Sequence, residues 1–458
     1  FLNPTHQKVL LALKQADYLS QKYHVVVANP PYMGNKRMNG RLKVLAERDY
    51  PDSKIDLFAM FMERNLDLAN KNGFVAMITM QSWMFLSSFE KLRIKILDDN
   101  TITSMIHLGA RAFDSIGGEV VSTTAFVIDN NYYVNYKGAY IRLVDDKSES
   151  EKISNLLQSL KNPYFASSSD FRKIPGSPIA YWFSRSLLDC FIHGDVFEGE
   201  TKKGVLTGDD NRFVRFWHEV NVRKIGFGLE NYNGMIRSNK KWFPVTSGGP
   251  MRRWYGNFET IVNLERDAFE IKSCVKNYRL REKSYYMQEA LTWTEVSTGN
   301  FSCRYVPKGV LFGNGGPVGF FNKNLKFYLG LLNSKISIAM LEAIAPTINY
   351  GPEQIKRIPI FKSNIGKVTD LVEKCVSIAK KDWDSNEISW DFKLSPLISP
   401  EFIQLTIKKT CSQMFTDWRE NTSRLHTLEL MNNQIFLEAY GLQDEISPEV
   451  PLHQITLT

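Results

Sequence analysis

The sequence predicts an α/β protein: a partial, largely parallel sheet with helices over residues 1–150, a mixed α/β part over 165–360 and a helical segment over 361–458. Three observations lead there. Short apolar runs alternate with helix-period stretches up to about residue 145. Glycine, aromatic residues and turn pairs then crowd the middle of the chain, and long amphipathic stretches take over from Ser363.

His24-Val25-Val26-Val27-Ala28 reads as a short buried strand that stops at Asn29-Pro30-Pro31. After a polar loop, apolar residues at 55, 58, 61/62, 66 and 69 mark a helix, with Gly73 at the position of a helix-ending glycine. Phe74–Met80 reads as an apolar strand. Ser87 and Glu90 have capping-box spacing ahead of a helix through Leu97, and Ile102–Leu108 and Val121–Ile128 read as two further strands. Ligands of such sheets bind beyond the carboxyl ends of the strands, which is where Asn29–Tyr32 would lie. In the middle part the turn signals are Asn233-Gly234, Gly248-Gly249-Pro250 and Gly313-Asn314-Gly315-Gly316-Pro317, interrupted by one helix over Leu325–Ala343. Helices over 364–381 and 400–440 follow, joined by a loop around Trp390 and Pro396.

Hydrophobic residues are 43% and charged residues 23%, ordinary for a globular chain. No apolar run approaches the roughly 18 residues of a membrane span. Five scattered cysteines, with no Cys-x-x-Cys, argue against a zinc site or a disulfide framework, and a reducing cytoplasm is expected. No metal is expected. The start at Phe1, without a signal-peptide pattern, is the start expected of an internal piece of a longer protein. Net charge is +8, and Lys202–Lys283 holds 17 Lys and Arg against 9 Asp and Glu, so the rest of the chain is neutral on balance. A localised basic surplus suits a polyanion, because phosphate contacts release counterions.

Asn29-Pro30-Pro31-Tyr32 suits chemistry on an exocyclic amine of adenine. That nitrogen is a poor nucleophile because its lone pair is delocalised into the ring. Acceptors aimed at its two N–H bonds favour the localised, pyramidal form. The Asn29 side-chain oxygen supplies one acceptor and the Pro30 carbonyl, held stiffly by the following proline, supplies the other. Tyr32 offers a ring for a flipped base, and flipping is required because the amine is paired inside a duplex. Phe113, in Gly109-Ala110-Arg111-Ala112-Phe113 between two strands, is the candidate second stacking ring.

These residues resemble the amino-methyltransferases that read Asn-Pro-Pro-Tyr. More closely they are similar to the adenine methyltransferases of BREX phage-defence systems and their single-chain restriction–modification relatives. Lys54–Phe61, Gly204–Arg215, Arg252–Asn257 and Ile388–Phe392 extend the likeness along the chain. The resemblance implies a partial Rossmann-like methyltransferase sheet, a target-recognition domain over 165–360 and a helical C-terminal segment. It also implies methylation of adenine N6 in double-stranded DNA with S-adenosyl-L-methionine as donor, and host modification alongside other phage-defence proteins. The family's glycine-containing cofactor loop precedes the catalytic motif. The 28 residues before Asn29 contain no glycine, so the loop is expected upstream of this chain and its residues are not identified.

Within the basic segment, arginines and lysines interleave with aromatics, a texture suited to phosphate contact and stacking. Arg212, Arg215, Lys240, Lys241, Arg252, Arg253 and Trp254 are the expected DNA contacts. Two alternatives stay open: a DNA-recognition module without catalysis, and a methyltransferase acting on RNA or a protein amide.

Overall fold

The computed structural model describes residues 3–113, 121–297, 299–346 and 349–457. They divide into two compact units, Phe1–Ile192 and His193–Thr458.

The first unit runs α1 (Pro4–Ser20), β1 (Tyr23–Ala28), α2 (Gly40–Asp49), α3 (Leu57–Leu68), β2 (Ala69–Met80), α4 (Glu90–Asp99), β3 (Thr101–Gly109), β4 (Thr123–Asp129), β5 (Gly138–Arg142), α5 (Glu149–Ser159) and β6 (Tyr164–Ala166). Its sheet has the order β1-β2-β4-β3-β5-β6. Strands β1 and β2 pair in parallel, as do β3 and β5, while β4 is antiparallel to both β2 and β3. The carboxyl ends of β1, β2, β3 and β5 therefore share one edge, with the start of β4 beside them. Apolar sides of α3 and α4 enter one core with the sheet through Phe58, Met62, Leu92, Ile96, Met105 and Phe126.

The four strands expected here are present, but three of the five pairings are antiparallel, so the sheet is mixed where a largely parallel one was expected, and three local readings change. Helix α3 stops at Leu68, so β2 starts five residues before Phe74. Gly73 lies inside that strand and does not end a helix; a Cβ there would come within 2.9 Å of the His24 carbonyl. Ser87 does not cap α4, because Ser87–Phe89 form a 3-10 turn and the capping position falls to Phe89. Strand β1, expected to be buried, is instead an edge with Val25 57% and Val27 75% exposed, and no residue of α1 is buried.

The second unit holds two four-stranded sheets. One contains β8 (Val214–Phe216), β9 (Trp242–Thr246), β10 (Thr260–Asn263) and β13 (Leu311–Phe312); the other contains β7 (Glu200–Lys202), β11 (Ala290–Trp293), β12 (Cys303–Val306) and β14 (Val318–Phe320). The single helix expected over Leu325–Ala343 is two, α6 (Leu325–Leu332) and α7 (Lys335–Ile344), bent by 69°. Asn333 sits at the break, where its side chain accepts from the Cys303 N–H and donates to the Cys303 carbonyl, each at 2.9 Å. Helix α8 (Ile365–Asp384) follows close to its expected bounds, and α9 (Ile407–Tyr440) begins seven residues after the expected start at 400. The Thr406 side chain caps α9, and Gly441 ends it in the left-handed region at φ 66°.

These boundaries differ from the three segments read from composition. Residues 150–192 join the first unit, whose core receives Phe171, Ile179 and Tyr181. The helical segment 361–458 shares one unit with the basic segment, packing α8 against α6 and α9 against α7. Among the described residues no single helix is long and apolar enough to cross a membrane.

Candidate active site

Asn29 follows directly on β1, where the end of the strand turns the chain out of the sheet. Asn29 and Pro31 are exposed, Pro30 is buried and Tyr32 is half-buried. The Tyr32 ring meets Phe58 of α3 edge-on, with centroids 6.1 Å apart and planes at 83°. That contact fixes the ring by packing and leaves a face for another ring. Burial pushes the Tyr32 hydroxyl above its ordinary pKa, so it stays neutral at pH 7.

Asp56 holds the far side of the loop, a role the sequence reading missed. Its Oδ1 accepts from the Met33 N–H at 3.0 Å and from the Phe58 N–H at 3.3 Å, capping α3 and tethering the residue after Tyr32 with one oxygen. The Leu57 N–H donates to the Met33 carbonyl at 3.1 Å and closes the link. Burial raises the Asp56 carboxyl above its ordinary value, against three backbone N–H groups that hold it down. The available signal was Asp immediately before a helical apolar period, the pattern of a capping residue.

Behind the same sheet edge lies a polar cluster inside an aromatic box. His107, near the end of β3, is buried and meets Gln81 Oε1 at 2.7 Å and the Tyr181 hydroxyl at 3.1 Å. Phe85 and Trp182 flank its ring, and the Arg142 guanidinium lies 4.9 Å over Trp182. Burial, reinforced by the Arg142 and Lys152 cations, lowers His107 to about 3. It is a neutral core histidine that holds Gln81 where β2 ends.

Phe113 is half-buried and follows β3 at this edge. The order β1-β2-β4-β3 sets its strand three spacings from β1, roughly 14 Å at about 4.8 Å per strand. Gly109 and Arg111 lie at φ 69° and 57°, so the segment leading to Phe113 is turned and not fully extended. Over one face of the sheet, an apolar depression of about 430 Å³ runs from Val27, Ala28 and Asn29 across Met77 and Phe126 to Met105. Its lining contains no carboxylate to bind ribose hydroxyls, so these residues do not fit the polar parts of S-adenosyl-L-methionine.

In the second unit the expected DNA contacts separate into two groups. Arg252, Arg253 and Trp254 are corrected: all three are buried, with Arg253 2% and Trp254 1% exposed. Arg252 pairs with Asp382, donates from Nε to the Tyr255 carbonyl at 3.1 Å and packs over Trp383. Arg253 Nη1 meets Glu429 Oε2 at 2.7 Å, and Trp254 Nε1 donates to Glu429 Oε1 at 2.7 Å. Groups so desolvated and paired bind the loop to α8 and α9 and cannot reach a phosphate. Arg212, Arg215, Lys240 and Lys241 remain at least partly exposed. Arg212 pairs with Glu270 at 2.7 Å, Arg215 donates to the Asn211 and Val214 carbonyls, Lys240 to the Arg223 carbonyl, and Lys241 lies 3.7 Å from Glu265.

Residues 5–113 match the model of the Eco57I restriction-modification methylase family. Over 391 residues the chain is 45% identical to the adenine-specific methyltransferase BrxX of Escherichia coli O9:H4 (strain HS), covering 84% of this chain and 32% of BrxX. Over 450 residues it is 39% identical to the adenine-specific methyltransferase PglX of Lacticaseibacillus casei (strain Zhang), covering 94% of this chain and 37% of PglX. The chain thus spans about a third of the length of the curated relatives it matches. Among solved structures, the Type IIL restriction-modification enzyme MmeI in complex with DNA superposes with a TM-score of 0.51 at 11% identity, over 92% of this chain and 57% of MmeI, a likeness of fold. The chain is therefore a homologue, over most of its length, of the BrxX and PglX adenine-specific methyltransferases, with the Eco57I methylase signature in residues 5–113.

Proposed function

We propose that this chain carries the base-binding wall of a site-specific DNA adenine-N6 methyltransferase that uses S-adenosyl-L-methionine and marks host DNA in phage defence. The observation that carries the reading is Asn29-Pro30-Pro31-Tyr32 at the end of β1, tethered by Asp56 and backed by Phe58. Among the described residues nothing bonds to the Asn29 amide or the Pro30 carbonyl, so both acceptors are available to an incoming amine. Asn29 Oδ1 and the Pro30 carbonyl orient the two amine N–H bonds, which concentrates the nitrogen lone pair on the side facing the donor. Tyr32 and Phe113 stack the flipped base, and Pro31 stiffens the loop between the acceptors and the ring. S-adenosyl-L-methionine, if held beside this wall, would supply an electrophilic methyl group.

The substrate we infer is double-stranded DNA in the cytoplasm, contacted through Arg212, Arg215, Lys240 and Lys241, with other phage-defence proteins as possible partners. Asn29→Ala in the longer enzyme should abolish methyl transfer from radiolabelled donor while leaving duplex affinity within twofold. Loss of both would mean the loop is a structural turn. The apolar lining beside Asn29 favours a second reading, in which this chain alone recognises DNA without catalysis. Calorimetric titration with S-adenosylmethionine separates the two: micromolar binding by these 458 residues would remove the second reading. A preference for RNA over duplex DNA in filter binding would instead favour RNA as the methylated polymer.

A further inference from the structure

Arg304, on β12, is a buried cation whose charge no acid balances. It is 1% exposed, and among the described residues no carboxylate meets its guanidinium. Nη1 donates to the Arg252 carbonyl at 3.3 Å, and Nη2 donates to the Gly248 carbonyl at 3.3 Å and reaches Thr294 Oγ1 at 3.5 Å. The adjoining Arg252 is a second cation whose charge is already matched by Asp382. Cys303 is pushed up to about 12 by burial, so it is a neutral thiol and no counter-ion. Burial lowers Arg304 to about 10, which still leaves it charged at pH 7. An interior charge held by two carbonyls and a hydroxyl, without a counter-ion, is costly.

The loop in front of Arg304 shows how. Gly248 and Gly249 both lie at positive φ, 90° and 105°. Two carbonyls turn inward, Gly248 O accepting from Arg304 and from Asn257 Nδ2 and Pro250 O from Asn257 Nδ2, while Gly249 O accepts from Thr294 Oγ1 at the surface. A trans peptide that turns its carbonyl inward turns its N–H outward. The Gly249 and Met251 N–H groups therefore face out, and neither has a partner among the described residues. The second glycine loop forms the other lip. Thr246 Oγ1 donates to the Gly316 carbonyl at 3.1 Å, and a Cβ on Gly248 would lie 2.8 Å from the Gly315 carbonyl. Ser247, Gly249 and Gly315 are exposed at this lip. Two outward N–H groups flanking Pro250, with a fixed positive charge behind them, suit an anion.

We propose that the Gly248–Met251 loop, backed by Arg304, binds a phosphate of the DNA backbone independently of base sequence. The proposal rests on the DNA-binding reading above and names a site within it. Replacing Arg304 risks the fold, so the test places charge on the lip. Ser247 is exposed, and among the described residues its side chain bonds only to Thr260 Oγ1, at 3.1 Å. Ser247→Asp and the neutral control Ser247→Asn are compared with the unaltered chain by fluorescence anisotropy on two duplexes of unrelated sequence across a KCl series. Melting temperature serves as the fold control, and inorganic phosphate at matched ionic strength is a separate arm. The expected result is a roughly tenfold loss for Ser247→Asp on both duplexes, with a salt slope shallower by about 0.9, the value for one phosphate. Ser247→Asn should behave as the unaltered chain. Equal slopes and affinities in a chain that binds duplex DNA would overturn the phosphate site alone. Failure of the unaltered chain to bind duplex would overturn the DNA reading with it. Stabilisation by inorganic phosphate without any change in DNA affinity would make this a site for the free anion and refute the proposal.

Discussion

Arg253→Met tests whether the arginine-rich loop is a strut or a DNA contact. Arg253 and Glu429 have side chains 2% and 4% exposed and meet at 2.7 Å, while the second Glu429 oxygen accepts from Trp254 Nε1 at 2.7 Å. Removing the arginine leaves a buried carboxylate held by one indole N–H, and breaking a pair so buried costs about 3–5 kcal/mol. Glu429→Gln keeps an acceptor for Trp254 but strands the Arg253 charge, at a similar cost. The double variant removes both charges, so its loss should fall well short of the sum, with a coupling of about 2–3 kcal/mol. Hydrogen exchange of peptides over 250–258 and α9 reads this directly, because opening of the loop exposes both. Duplex binding by folded Arg253→Met, corrected for the folded fraction, should keep the unaltered salt slope. A slope shallower by about one with unchanged exchange would refute the reasoning and return Arg253 to the interface.

Two further perturbations concern the first unit. Asp56→Ala should cost about 1–3 kcal/mol, as both a helix cap and the acceptor for Met33 are lost, and on the proposed methyltransferase reading methyl transfer should fall at least tenfold with unchanged DNA affinity. Asp56→Asn retains the accepting oxygen and should recover most of the methyl transfer; equal damage by both variants would show that the charge, and not the tether, matters. His107 has a folded pKa of about 3, below the ordinary 6.5, so the unfolded chain takes up the proton first. Its contribution to stability is therefore complete above about pH 6.5 and declines by about 1.4 kcal/mol per pH unit below it, down to about pH 3. Imidazole NMR signals of His107 should be flat between pH 5 and 8, and a midpoint near 6.5 would contradict the burial argument.

Much of the first unit was written locally. Val25-Val26-Val27 has one stable use, as a strand, and two prolines must stop it, so the motif and its place beyond a strand end were readable from adjacent residues. The 3.6-residue period of α8 and α9 is a local property too. Gly73 misled because a glycine after a helical period serves equally inside a tightly packed strand, and only the closeness of the His24 carbonyl decides. The break at Asn333 depended on a partner thirty residues away in β12. The basic segment shows the limit most clearly. Counting charges located a surplus between Lys202 and Lys283, but exposure is set by packing. Arg252 and Arg253 were claimed by Asp382 and Glu429, 130 and 176 residues downstream, and Arg304 was placed behind a glycine loop from another strand pair. The residue types determined the chemistry available at Asn29–Tyr32; which cations face outward was decided by the fold, because a charge enters a core only where a distant partner or a carbonyl cage meets it.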